Sequence, residues 1–68
     1  MSAQECIKKA RMQLGMSQRA LGKVLGFHHS IISQWEIGRH KPQIHNIKRI
    51  VDKLKELNVE YKYEDFQD

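Results

Sequence analysis

The sequence predicts an all-α bundle of four or five short helices, followed by a C-terminal segment that reads as a short β-strand. Three observations point there. Apolar residues recur at three- and four-residue spacing through most of the chain, glycine or proline separates the periodic stretches, and only residues 59–64 alternate with the two-residue period of a strand. Length fixes the scale. A chain of 68 residues makes one domain, and a domain this small buries only ~60% of the surface its unfolded chain exposes, so partners contribute to its stability.

Each element follows from its own residues. Ser2 with Glu5 has the form of a capping box, and Ile7, Ala10 and Leu14 recur at helical spacing, predicting a first helix over residues 3–13. Gly15 stops it. Ser17 caps a second helix with Ala20, Leu21, Val24 and Leu25 facing inward, and Gly26 closes it. Phe27, Ile31, Ile32 and Trp35 form the apolar stripe of a third helix over about residues 28–37, which Gly38 ends. Pro42 imposes an extended approach to a fourth helix, traced by Ile44, Ile47, Ile50, Val51, Leu54 and Leu57 and stopped at Asn58.

Charge divides the chain in two. Residues 1–58 carry eleven Lys or Arg against four Asp or Glu, a net +7, whereas residues 59–68 carry Lys62 against four acids, a net −3. A basic body of 40% hydrophobic composition fits a compact protein that meets a polyanion. The expected division is a DNA-binding unit over residues 1–58 and an acidic, aromatic tail over residues 59–68.

Two short helices joined by a glycine-containing turn, the second with polar residues opposite its apolar stripe, meet the physical requirement for a helix-turn-helix. The run from Leu14 to Gly26, then Ile32-Ser33-Gln34-Trp35-Glu36, Gly38 and Pro42, closely resembles the DNA-binding domains of the lambdoid phage repressor and Cro family. The resemblance spans about residues 5–57. It implies a lambda repressor-like bundle that binds operator DNA as a symmetric dimer, with the N-terminal part of helix three in the major groove.

With the third helix's apolar stripe turned inward, His29, Ser30, Ser33 and Gln34 face outward together, and the resemblance places base contacts at those four positions. Gln34 suits adenine N6 and N7, Ser30 and Ser33 suit several bases, and His29 suits guanine as a donor. His28 is a fifth candidate, or a cap. Family position gives Gln18 a phosphate contact at the start of helix two, with Ser17 assisting. Arg39, His40 and Lys41 follow the reading helix, and Lys9, Arg11, Arg19 and Lys23 supply further positive charge toward phosphates. Trp35 belongs to the core. Glu36 is expected, again from the family, to pair with Arg11 and hold helix one to helix three.

Other chemistries find little support. The four histidines and single cysteine lack metal-ligand spacing, so no metal or cofactor is expected. No nucleophile, base and orienting residue form a set, and no glycine-rich phosphate loop is present, so an enzyme and a small-molecule ligand are not expected. Cys6 reads as a small core residue. No apolar run approaches a membrane span, and the N-terminus lacks a signal peptide's apolar stretch, which predicts the cytoplasm of a bacterial cell.

Val59, Tyr61 and Tyr63 alternate with charged residues, and a lone strand needs a partner. The same segment of a second molecule is the expected partner, with Phe66 docking on the other subunit, as the resemblance to Cro implies. The expected function is therefore a Cro-like or repressor-like transcriptional regulator that binds a pseudo-palindromic operator as a homodimer. An antitoxin-like interaction module, neutralising a partner protein through residues 59–68, is the alternative. The tail separates the two: self-pairing favours the regulator, and disorder until a partner arrives favours the antitoxin.

Overall fold

The computed structural model describes residues 2–67. Four α-helices follow in order: α1 (Ala3–Gln13), α2 (Gln18–Leu25), α3 (His29–Glu36) and α4 (Ile44–Glu56). A 3-10 helix, Tyr63–Phe66, ends the fold. None of the helices is long and apolar enough to cross a membrane.

α1 begins where its sequence says it should. The Glu5 N–H donates to Ser2 Oγ at 3.3 Å and the Ser2 N–H donates to Glu5 Oε1 at 3.4 Å, satisfying two amides that the helix itself leaves open. Ala3, Cys6, Ile7 and Ala10 then share its buried face. Ser17 caps α2 by accepting from the Ala20 N–H at 3.0 Å. Leu21 and Leu25 enter the core.

The turn between α2 and α3 depends on two glycines. Gly26 closes α2 at φ 83°, a left-handed conformation that side chains other than glycine adopt only at a cost. The N–H groups of Gly26 and Phe27 both donate to the Gly22 carbonyl at 2.8 Å. Gly22 has no side chain because the Phe27 carbonyl oxygen occupies the space a Cβ would take. This close approach lets α2 and α3 pack directly on each other. Phe27 then meets Trp35 edge-on, with ring centroids 5.0 Å apart.

α3 buries Ile32, Trp35 and Glu36. Ile31 does not join them: it is 40% exposed, which corrects its assignment to the inward stripe. The cause is angular. At 3.6 residues per turn, Ile32, Trp35 and Glu36 already fill the arc that faces the core, and Ile31 falls beyond its edge. Ile44 is also open, at 60% exposure, so α4 packs from Ile47 onward through Ile50 and Leu54.

The C-terminal segment corrects the strand expectation. Asn58 turns the chain at φ 63°, and the Val59 N–H donates to the Leu54 carbonyl at 2.9 Å, folding the tail back on α4. No strand forms among the described residues. The 3-10 helix packs on α1 and α4 of its own chain, where Val59 and Phe66 are buried and Tyr61 meets Phe66 edge-on at 6.0 Å. A domain with so little interior draws on its aromatics, and Phe66 joins the same buried core as Cys6. The Cys6 thiol, wholly buried, donates to the Asp65 carbonyl at 3.2 Å. Burial, then the nearby Asp65 carboxylate, pushes its pKa up.

Candidate nucleic-acid interface

α3 is set in place by one buried carboxylate. Glu36, 7% exposed, accepts from Arg11 Nε at 2.7 Å and from a second guanidinium nitrogen at 3.0 Å. Arg11 also donates to the Met16 carbonyl at 3.0 Å, fixing the chain between α1 and α2. The hydrogen bond to Glu36 raises the Arg11 pKa above its already high ordinary value, so this cation stays charged. Gln18 completes the cluster by donating from Nε2 to Glu36 Oε1 at 3.3 Å. A single carboxylate thus joins α1, α2 and α3, and among the described residues no buried side-chain nitrogen or oxygen lacks a partner.

The exposed face of α3 is largely polar. Ser30 is exposed, while His29, Ser33 and Gln34 are half-buried. His28 caps the helix, its Nδ1 accepting from the Ser30 N–H at 3.2 Å and lying 2.8 Å from Ser30 Oγ. In the tautomer whose Nδ1 accepts, the Ser30 hydroxyl shares that lone pair as a second donor and keeps its own lone pairs for another donor. The His28 and His29 rings lie 4.4 Å apart at 30°. Burial first, then the Arg19 charge and the electrostatic coupling to the neighbouring His28, lower the His29 pKa below its ordinary value. This favours the neutral His29 ring, which offers one donor and one acceptor.

The cationic candidates lie on α1, α2 and the loop after α3, and Arg19 is close enough to His29 to act on its ring. Arg19 and Lys23 are exposed on α2, and Ser17 and Gln18 mark its N-terminus. Arg39, His40 and Lys41 are exposed in the loop after α3. That loop is anchored to α3, since the Arg39 and His40 N–H groups donate to the Gln34 carbonyl at 3.0 and 3.4 Å. Lys9 is exposed on α1. Arg11 is different: three of its N–H groups serve the Glu36 and Met16 contacts, which makes it first a structural residue.

Sequence reasoning missed two residues here. The Arg49 guanidinium lies 5.0 Å from the Phe27 ring centroid and beside Gly26, so α4 supplies a cation at the α2–α3 turn. No local pattern signals a contact across so many residues. Gly22 did carry a signal, since a glycine inside a helical run implies a close approach. Among the described residues, no group of three His, Cys, Asp or Glu is placed to hold a metal ion.

The arrangement is a helix with a polar outer face, locked by a buried ion pair and bordered by cations on the preceding helix and following loop. A family model described as Helix-turn-helix matches residues 7–61, a span that includes every element of the arrangement except the first turn of α1 and the 3-10 helix. No curated protein and no solved structure matches the chain significantly. With most of its length matched, the chain belongs to the helix-turn-helix family of Cro/C1 type, whose members are DNA-binding regulators.

Proposed function

We propose that this regulator binds a pseudo-palindromic operator as a homodimer, with the first turns of α3 in the major groove, and represses by occluding a promoter. The observation that carries the reading is the α3 face itself. His29, Ser30, Ser33 and Gln34 are polar, accessible to different degrees, and mounted on a helix that Arg11, Gln18 and Glu36 hold fixed. Gln34 bonds adenine bidentately, Ser30 accepts from a base amino group, and His29 adds a donor. His28 acts through the cap.

Phosphate contacts fall to Ser17, Arg19, Lys23, Arg39, His40, Lys41 and the free amide hydrogen of Gln18. Each positions the duplex and carries no sequence information. Val59 and Phe66 are occupied in the subunit's own core, so subunit contact through the tail uses the accessible parts of Tyr61 and Tyr63. A two-fold dimer spaces its half-sites one helical turn, ~34 Å, apart.

Selection of bound sequences from random duplex DNA at fixed salt, with the mass of the complex measured, tests this reading. A pseudo-palindrome held by two chains is expected. Binding without preference above the electrostatic background overturns it.

A further inference from the structure

One side chain of α3 serves neither the core nor the polar face. Ile31 is 40% exposed, beside Ile32 at 0% and Trp35 at 5%. It is the third residue of α3, in the first turn, one position from Ser30 and three from Gln34. Residues three apart on a helix are surface neighbours, so Ile31 and Gln34 form one ridge. A branched apolar side chain gains nothing from water there, and isoleucine is a poorer helix former than alanine. Its presence has to be explained by what meets that ridge.

A major groove presents mostly nitrogen and oxygen at its base edges, with one apolar group among them, the C5 methyl of thymine. An isoleucine beside two hydrogen-bonding side chains in the first turn of a groove-entering helix has that one complement. We propose that Ile31 is a specificity-determining residue that packs on a thymine methyl, adjacent to the pair bonded by Gln34 or Ser30. This rests on the reading of α3 as the DNA-contacting helix. It adds to that reading a base preference which polar side chains do not supply.

Ile37, 62% exposed at the C-cap of α3, is the internal control. It lies six residues further along, ~9 Å on the helix axis, where α3 leaves the groove. The test uses the selected operator with each thymine replaced singly by deoxyuridine, which removes only the methyl. Wild-type protein is expected to lose about three- to fivefold in affinity at one thymine per half-site. Ile31→Ala is expected to bind the thymine and deoxyuridine operators equally, Ile31→Val to keep part of the difference, and Ile37→Ala to keep all of it.

The proposal is overturned if wild type is indifferent to every methyl, or if Ile31→Ala keeps the wild-type sensitivity. It is equally overturned if Ile37→Ala alone abolishes that sensitivity, or if Ile31→Ala changes only the mass of the free protein, which would make Ile31 a protein contact. Absence of any selected operator would instead remove the DNA reading itself. An unchanged thermal midpoint for Ile31→Ala confirms that the fold is intact.

Discussion

Glu36 is the residue on which the interface geometry turns. Its two oxygens receive two hydrogen bonds from Arg11 and one from Gln18, and side chains from three helices converge on it. Removing the carboxylate leaves a partly buried guanidinium uncompensated, a loss of about 2–3 kcal/mol after allowing for the residual exposure of Arg11. Glu36→Ala is therefore expected to shift the urea midpoint sharply downward. Equal midpoints for variant and wild type would show that the cluster contributes nothing to the fold.

His29 gives the second residue-scale prediction. Burial, Arg19 and His28 all oppose its charged form, so an NMR titration of its ring should reach midpoint below 6.5. The sign for stability follows. Well above 6.5 the ring is neutral in folded and unfolded chains alike, and as pH falls toward and through that value the unfolded chain takes up the proton first, so acid disfavours the fold. A midpoint at or above that of a free histidine would contradict the environment described for His29.

At the scale of elements, the α2–α3 turn is the least tolerant part of the molecule. A methyl at Gly22 meets the Phe27 carbonyl oxygen, a backbone atom of a residue whose N–H is bonded to the Gly22 carbonyl. Gly22→Ala should cost about 1–3 kcal/mol through overpacking, read as a lower thermal midpoint. A gain in stability from alanine's better helix propensity would show that α2 and α3 are further apart than described.

The elements also show what a sequence can convey. Caps and periodicity are local, so Ser2, Ser17, Gly26 and Gly38 mark the helix ends at or within a residue of where they fall. The Arg11–Glu36 contact was legible only through family resemblance, because 25 residues separate the partners. Ile31 was misread for a geometric reason. Periodicity shows that a helix has an apolar stripe, while the width of that stripe depends on how neighbouring helices close around it.

The tail was misread because alternation at Val59, Tyr61 and Tyr63 reports a pattern without its partner. The nearest apolar surface was on α1 and α4 of the same chain, and the left-handed Asn58 turned the segment toward it. Phe66→Ala removes a buried ring and should cost about 3 kcal/mol or more. It should also open the Cys6 thiol, since the tail carries the carbonyl that thiol bonds. Faster labelling of Cys6 by a thiol reagent under native conditions is the expected readout, and an unchanged rate would mean that the tail does not seal that side of the core.

At the scale of the whole molecule, charge and packing divide the work. The basic residues lie across α1, α2, α4 and the loop after α3, while the acidic segment packs on α1 and α4. On the proposed reading, the basic body supplies attraction to DNA without regard to sequence, which falls steeply with salt, and α3 supplies the selectivity. The most direct test of that claim compares the base preferences of wild type and Gln34→Ala, selected from random duplex DNA at one salt concentration. The variant should lose preference at one symmetry-related pair of positions and keep the rest of the operator. Identical profiles, or no preference in the wild type, would contradict the assignment of α3 as the element that reads sequence.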